Sequence, residues 1–196
     1  MTGPYECRPI PHNLDIVCPA CRGRAEFEFA EVVRIKLKAD VQFFQKSSMF
    51  DYQQFHDSCG HSWHAAIYFQ GLHGRPQPVI QELPEGYAAG DWDHSRYLKN
   101  RSGWPVGSIR CGSCHMRGKH VLKWPAEAYF AISYRNRVLW AFHRESAIDL
   151  MQYLQSRERS RSRYRWGFFL LYVPTVFKTG KAREYVVKQL GKLLLY

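Results

Sequence analysis

FHDSCGHSW, residues 55–63, sets the problem. It lies downstream of CPAC, residues 18–21, and His56 falls 35 positions beyond Cys21. His56-x-x-Cys59 has the spacing of Cys18-x-x-Cys21. Two donors separated by two residues can turn inward onto one divalent ion, and four such donors close a tetrahedron with metal–sulfur arms of about 2.3 Å. Gly60 follows Cys59, where a tight turn favours a residue without Cβ. The expectation is one closed zinc site built from Cys18, Cys21, His56 and Cys59. His61 and His64 are rivals for the histidine position, and are read instead as hydrogen-bond partners or core.

A further pair, Cys111 and Cys114, is expected to bind metal too. Its partners are open: His115, His120, His143, or Cys7 with His12. In another arrangement Cys18, Cys21, Cys111 and Cys114 share one ion, everything between them is an insertion, and His56 and Cys59 stand aside. The count is therefore one or two Zn²⁺. Six cysteines could form three disulfides, but four of them sit in C-x-x-C pairs and nothing marks export. Thiolates in a reducing cytoplasm are the better reading.

Each pair leads into short alternating sequence. AEFEFA (25–30) and VRIKLK (33–38) alternate apolar with charged residues, as strands do. HAAIYFQ (64–70) is a third strand. YFAISY (129–134) and RVLWAF (137–142) flank Arg135–Asn136, a two-residue hairpin turn in which Asn tolerates positive φ. Ser146 with Asp149 resembles a capping box, opening a helix that places Ala147, Leu150, Met151 and Leu154 on one face. A last amphipathic helix is expected from Lys181 to Leu195. Its apolar stripe is Ala182, Val186, Leu190, Leu193 and Leu194, with Lys181, Lys188 and Lys192 opposite. Residues 71–107 hold four prolines and six glycines, so regular structure should be sparse there, although part of the segment should pack.

Knuckles followed by strands resemble those of zinc-ribbon proteins, and a knuckle, a hairpin and then a helix resembles the treble-clef finger. The resemblance covers only these elements. It implies a fold element and no specific activity. In the treble-clef pattern the start of the helix supplies the remaining ligands, and His143 lies near that position.

Net charge is +11 over 196 residues, and its distribution is uneven. Residues 1–60 carry 7 basic against 8 acidic side chains, residues 61–107 carry 4 against 4, and residues 108–196 carry 17 against 5. A basic half beside a neutral half points to a polyanionic partner. SRERSRSRYRW places Arg157, Arg159, Arg161, Arg163 and Arg165 at alternate positions; on an extended segment all five project to one side, with Tyr164 and Trp166 for stacking. Arg117 and Lys119 add charge beside the second knuckle. The plainer reading of such a run is a solvated, solubilising face.

No P-loop, G-x-S-x-G or H-E-x-x-H motif is present. Asp91, Asp93 and His94 in DWDH could hold Mg²⁺, but such a group is usually a polar turn. A His-metal nuclease using His120 or His143 is the lesser alternative, and a redox role for C-x-x-C is weaker still. No apolar run reaches the roughly 20 residues of a membrane span, and the N-terminal stretch lacks the apolar core of a secretory signal.

The expected protein is α+β. Residues 1–70 are a zinc-ribbon lobe, 71–107 a connecting segment, and 108–196 a basic knuckle–hairpin–helix lobe. Its expected role is non-catalytic binding of nucleic acid, DNA or RNA. The runner-up is an adaptor subunit that meets a protein partner, for which the C-terminal helix is one possible contact.

Overall fold

The computed structural model describes residues 10–56, 59–73, 83–88, 92–94 and 105–195. Cys7 and Asp91 lie outside the described residues. In chain order the first elements are β1 (Asn13–Val17), β2 (Arg24–Phe29), β3 (Glu31–Arg34), α1 (Val41–Lys46), β4 (Phe50–His56) and β5 (Ser62–Tyr68). Next come α2 (Gln70–His73), β6 (Asp93–His94), β7 (Val106–Cys111), β8 (Arg117–Val121), β9 (Ala131–Tyr134) and β10 (Arg137–Trp140). The chain closes with α3 (Arg144–Gln155), α4 (Gly167–Leu170) and α5 (Gly180–Leu194). This is an α+β fold with a C-terminal helix, as the sequence patterns indicate. Among the described residues the strands form two four-stranded sheets, ordered β1-β2-β7-β8 and β4-β5-β3-β6, and the β9–β10 hairpin.

Alternation makes β2. Ala25, Phe27 and Phe29 are buried, while Arg24 is exposed and Glu26 and Glu28 are half-buried on the other face. The strand expected over 33–38 ends at Arg34 instead. Ile35 still packs into the core, but Leu37 is 61% exposed and Lys38 opens a 3₁₀ turn. The paired register with β5 ends at Arg34, and the Lys36 N–H bonds the Tyr87 hydroxyl in place of a partner strand.

The chain divides into two compact units, residues 27–122 and residues 1–26 with 123–196, and the division falls inside β2. It does not follow the expected boundaries at 70 and 107. In the first unit the β4-β5-β3-β6 sheet is covered on both faces. Val32, Phe55, Ala65 and Ile67 form one core cluster; Val33, Phe44, Phe50, Ala66, Tyr68 and Trp92 form the other. Burial on both faces is why HAAIYF is nearly unbroken in apolar character. The expected connecting segment contributes to this core: Leu83, Tyr87 and Trp92 pack on the second cluster. The Tyr87 hydroxyl accepts the Lys36 N–H at 2.8 Å and donates to Asp40 at 2.9 Å. Gly107 is required by close packing, since a Cβ there would meet the Glu28 carbonyl and the Phe27 ring.

In the second unit Trp140, Phe142, Phe169 and Phe177 are buried, as are Leu150, Leu154, Val186 and Leu190, and the Trp140, Phe142 and Phe169 rings pack on one another. Each such side chain taken from water contributes about 1.5–3 kcal/mol. The apolar stripe of α5 is therefore internal: Ala182, Val186 and Leu190 are all buried. The β9–β10 hairpin turns at Arg135–Asn136 as expected, and both residues have positive φ. Helix α3, which follows the hairpin, begins earlier than expected. Its N-cap is His143, not Ser146; Ser146 is the reciprocal partner at the third helical position. Asp149 instead accepts the Trp166 backbone N–H at 2.8 Å. Among the described residues no helix is long and apolar enough to cross a membrane.

Candidate metal centre

Two β-hairpins carry cysteine pairs on their turns. Cys18 and Cys21 lie between β1 and β2; Cys111 ends β7, and Cys114 precedes β8. The turns share a backbone design. The Cys18 N–H donates to the Gly23 carbonyl at 2.8 Å, and the Cys111 N–H donates to the Met116 carbonyl at 2.9 Å. The residue after each second cysteine takes the left-handed conformation: Arg22 at φ 64° and His115 at φ 60°. In each pair the first cysteine is buried and the second exposed.

The sulfur atoms of Cys18, Cys21, Cys111 and Cys114 all lie within 4.8 Å of one another. A tetrahedron with arms of about 2.3 Å has edges of roughly 3.8 Å. The four thiols are thus spaced to close on a metal ion with small adjustments. The chemistry of the set fits as well. The described cysteines are thiols and not disulfides, and thiolate is the soft donor that thiophilic metals prefer.

This grouping corrects the expected one. The structure groups Cys18 and Cys21 with Cys111 and Cys114, the alternative arrangement offered by the sequence, and leaves His56 and Cys59 outside that group. The reason is topological. The two cysteine turns belong to hairpins of one sheet, whereas His56 and Cys59 sit at the turn of β4–β5 in the other sheet, both exposed. His56 is paired in register with Ser62. Gly60 does take positive φ, at 82°, a conformation that favours glycine. His61 is exposed, and His64 stacks on Tyr52, whose hydroxyl is 2.5 Å from Nδ1.

His120 and His143 have other work. His120 packs edge-on against Phe27. His143 caps α3 through Nδ1, which accepts the Ser146 N–H at 3.4 Å. Burial pushes its imidazole below the ordinary range, partly offset by nearby Asp15 and Glu145. Asp15 is itself buried and accepts the Arg144 N–H at 2.8 Å. Burial holds its carboxyl above the usual carboxylate range, against the pull of that bond and of Arg24.

The basic residues singled out in the sequence are unequally placed. Arg117 donates to the carbonyls of Gly71 and Leu72, at 2.8 and 2.6 Å. Lys119 pairs with Asp51 at 2.6 Å and lies 5.2 Å from the Phe69 ring centroid. The arginine run is not extended, for Arg161–Arg163 form a 3₁₀ turn. Arg159 donates to the Lys178 carbonyl at 3.1 Å, Arg163 pairs with Glu158, and Arg165 pairs with Glu145. Arg157 and Arg161 make no ion pair among the described residues, and both are exposed. Alternate spacing in the sequence thus gave a single basic face that local turns break up.

Comparison with protein-family models, curated proteins and solved structures gives no match. Fold and site therefore define a class only: an α+β protein whose paired cysteine turns assemble one four-thiol centre.

Proposed function

We propose that the four-thiol centre holds one zinc ion as a structural staple, and that the protein is a non-catalytic, zinc-ribbon-like binder of nucleic acid. The observation that carries this reading is the set of four sulfurs within 4.8 Å. Four protein donors fill a tetrahedral shell and leave no position for water or substrate, which is the signature of a structural zinc site. Zinc has no redox cycle and suits four thiolates. Nucleic acid is supported by the charge: 17 basic against 5 acidic residues over 108–196. A surplus of that kind attracts phosphates through counterion release.

The test has two measurements on the purified chain. Elemental analysis should give one zinc per chain, lost on substitution of any of the four cysteines and retained in Cys59→Ser. Binding to a labelled random-sequence oligonucleotide should weaken steeply between about 50 and 200 mM salt. A metal-free folded chain, or no binding at the lower salt, overturns the corresponding half of the reading.

A further inference from the structure

We infer that the exposed face of α5, joined by the turn of β9–β10, is the surface that docks on the nucleic-acid backbone. This rests on the nucleic-acid reading above and assigns its contact residues. Lys181, Lys188 and Lys192 are exposed. They fall at i, i+7 and i+11, which at 100° per residue keeps them on one narrow stripe of a helix. The stripe runs about 16 Å along the axis. Tyr185, at i+4, lies within it and is 41% exposed.

The neighbouring turn extends the same surface. The Tyr185 and Tyr134 rings are 5.6 Å apart. The Arg135 guanidinium sits 5.4 Å from the Tyr134 ring centroid. Arg135 and Arg137 are both exposed. Among the described residues none of these three lysines or two arginines makes an ion pair. By contrast, Arg159, Arg163, Arg165, Arg117 and Lys119 all bond within the fold. The unspent positive charge lies on α5 and at the hairpin tip more than in the arginine run.

Charge complementarity selects the occupant. Five cations that make no ion pair, spread along a ridge on which Glu184 is the only carboxylate of α5, match a regular line of negative charge. Exposed tyrosine between them offers a face on which an unpaired base can stack. The apolar side of α5 is already buried in its own unit, so the exposed side is polar and cationic, unlike a hydrophobic helix-binding site.

The experiment compares the full chain with Lys181→Ala/Lys188→Ala/Lys192→Ala and with a charge-matched control, Lys38→Ala/Lys46→Ala/Lys123→Ala. Alanine keeps α5 helical, and melting temperature confirms folding. Against a labelled random-sequence DNA duplex, the helix variant should lose roughly tenfold or more in affinity. Its log–log salt slope should fall by about 2.7, the value for three phosphate contacts. The control should bind as the parent does. Tyr185→Ala should weaken binding to a single strand severalfold without changing the salt slope. Binding by the parent with an unaltered helix variant overturns this assignment and leaves the nucleic-acid reading standing. Equal binding of polyglutamate by the parent overturns the choice of nucleic acid as occupant. No binding by the parent overturns both.

Discussion

Cys18 and Cys111 are equivalent residues. Each is the buried member of its pair, and each directs its amide to the carbonyl five positions on, Gly23 in one case and Met116 in the other. The equivalence explains why these two pairs, and not the nearer His56 and Cys59, supply the four-sulfur set. Two hairpin turns of one design, at the ends of strands in one sheet, present four thiols to a common point.

Loss of one sulfur should therefore disable the centre whichever pair it comes from. Cys18→Ser and Cys111→Ser are each expected to abolish metal retention and to destabilise by more than about 3 kcal/mol, because metal binding is folding free energy in such sites. Cys59→Ser should stay within about 0.5 kcal/mol of the parent. Urea unfolding with parallel metal analysis reads both. Equal destabilisation by Cys59→Ser would contradict the assignment.

His115 is held at φ 60° with a Cβ that this conformation disfavours. The penalty for an ordinary residue there is about 1–2 kcal/mol. His115→Gly should relieve it and raise the melting temperature by a few degrees, net of the extra freedom glycine has when unfolded. A lower melting temperature would mean that the imidazole contributes more than the strain removes.

Gly107 makes the opposite prediction. Its missing Cβ leaves room for the Glu28 carbonyl and the Phe27 ring. Gly107→Ala must displace both the Glu28 backbone and the Phe27 ring and should destabilise by about 1–3 kcal/mol, as overpacking does. Thermal melts would check it, with Gly112→Ala as a control, since a Cβ at Gly112 meets nothing within 4 Å.

The cap of α3 should be pH-sensitive. His143 accepts the Ser146 N–H through Nδ1, and burial lowers its affinity for a proton. The unfolded chain, with an ordinary imidazole near 6.5, binds that proton more readily. Stability from this group is thus complete above about pH 6.5 and declines as pH falls below it. Asp15 slopes the other way. Its carboxyl is raised by burial, so its contribution declines as pH rises through the range just above 3.8. His143→Asn keeps a capping acceptor without a titrating ring. The stability difference between parent and variant should shift in favour of the variant on acidification below pH 6.5. A constant difference would refute the role of the ring.

The arginine run should divide by partner. Arg159 is half-buried and donates to the Lys178 carbonyl, so Arg159→Ala should lower stability by about 1 kcal/mol. Arg157→Ala and Arg161→Ala should change it by less than about 0.5 kcal/mol.

Much of the fold was legible because its signals are local. Period-2 alternation located β2. Asn136 located the hairpin turn, and the 3.6-residue stripe located α5 to within a residue at each end. What was not legible depends on pairings between distant segments. Nothing local tells whether Cys21 looks toward Cys59 or Cys111, since both turns have donors at the same spacing and a positive-φ residue following. Sheet membership decides it, and that is a long-range property. The alternating arginines misled for a related reason. Their spacing suits a strand, but the sequence offers no partner strand, and Asp149, Glu145 and Glu158 tie the segment into turns.

The order of the sulfurs along the chain has a kinetic corollary. Between Cys21 and Cys111 lie 89 residues. At elongation rates of about 5–20 residues per second, a ribosome synthesises the first pair roughly 4–18 s before the second. A growing polypeptide must keep its earliest thiols reduced and uncommitted across that interval, and any competing oxidant or scavenging ion gains its best opportunity then.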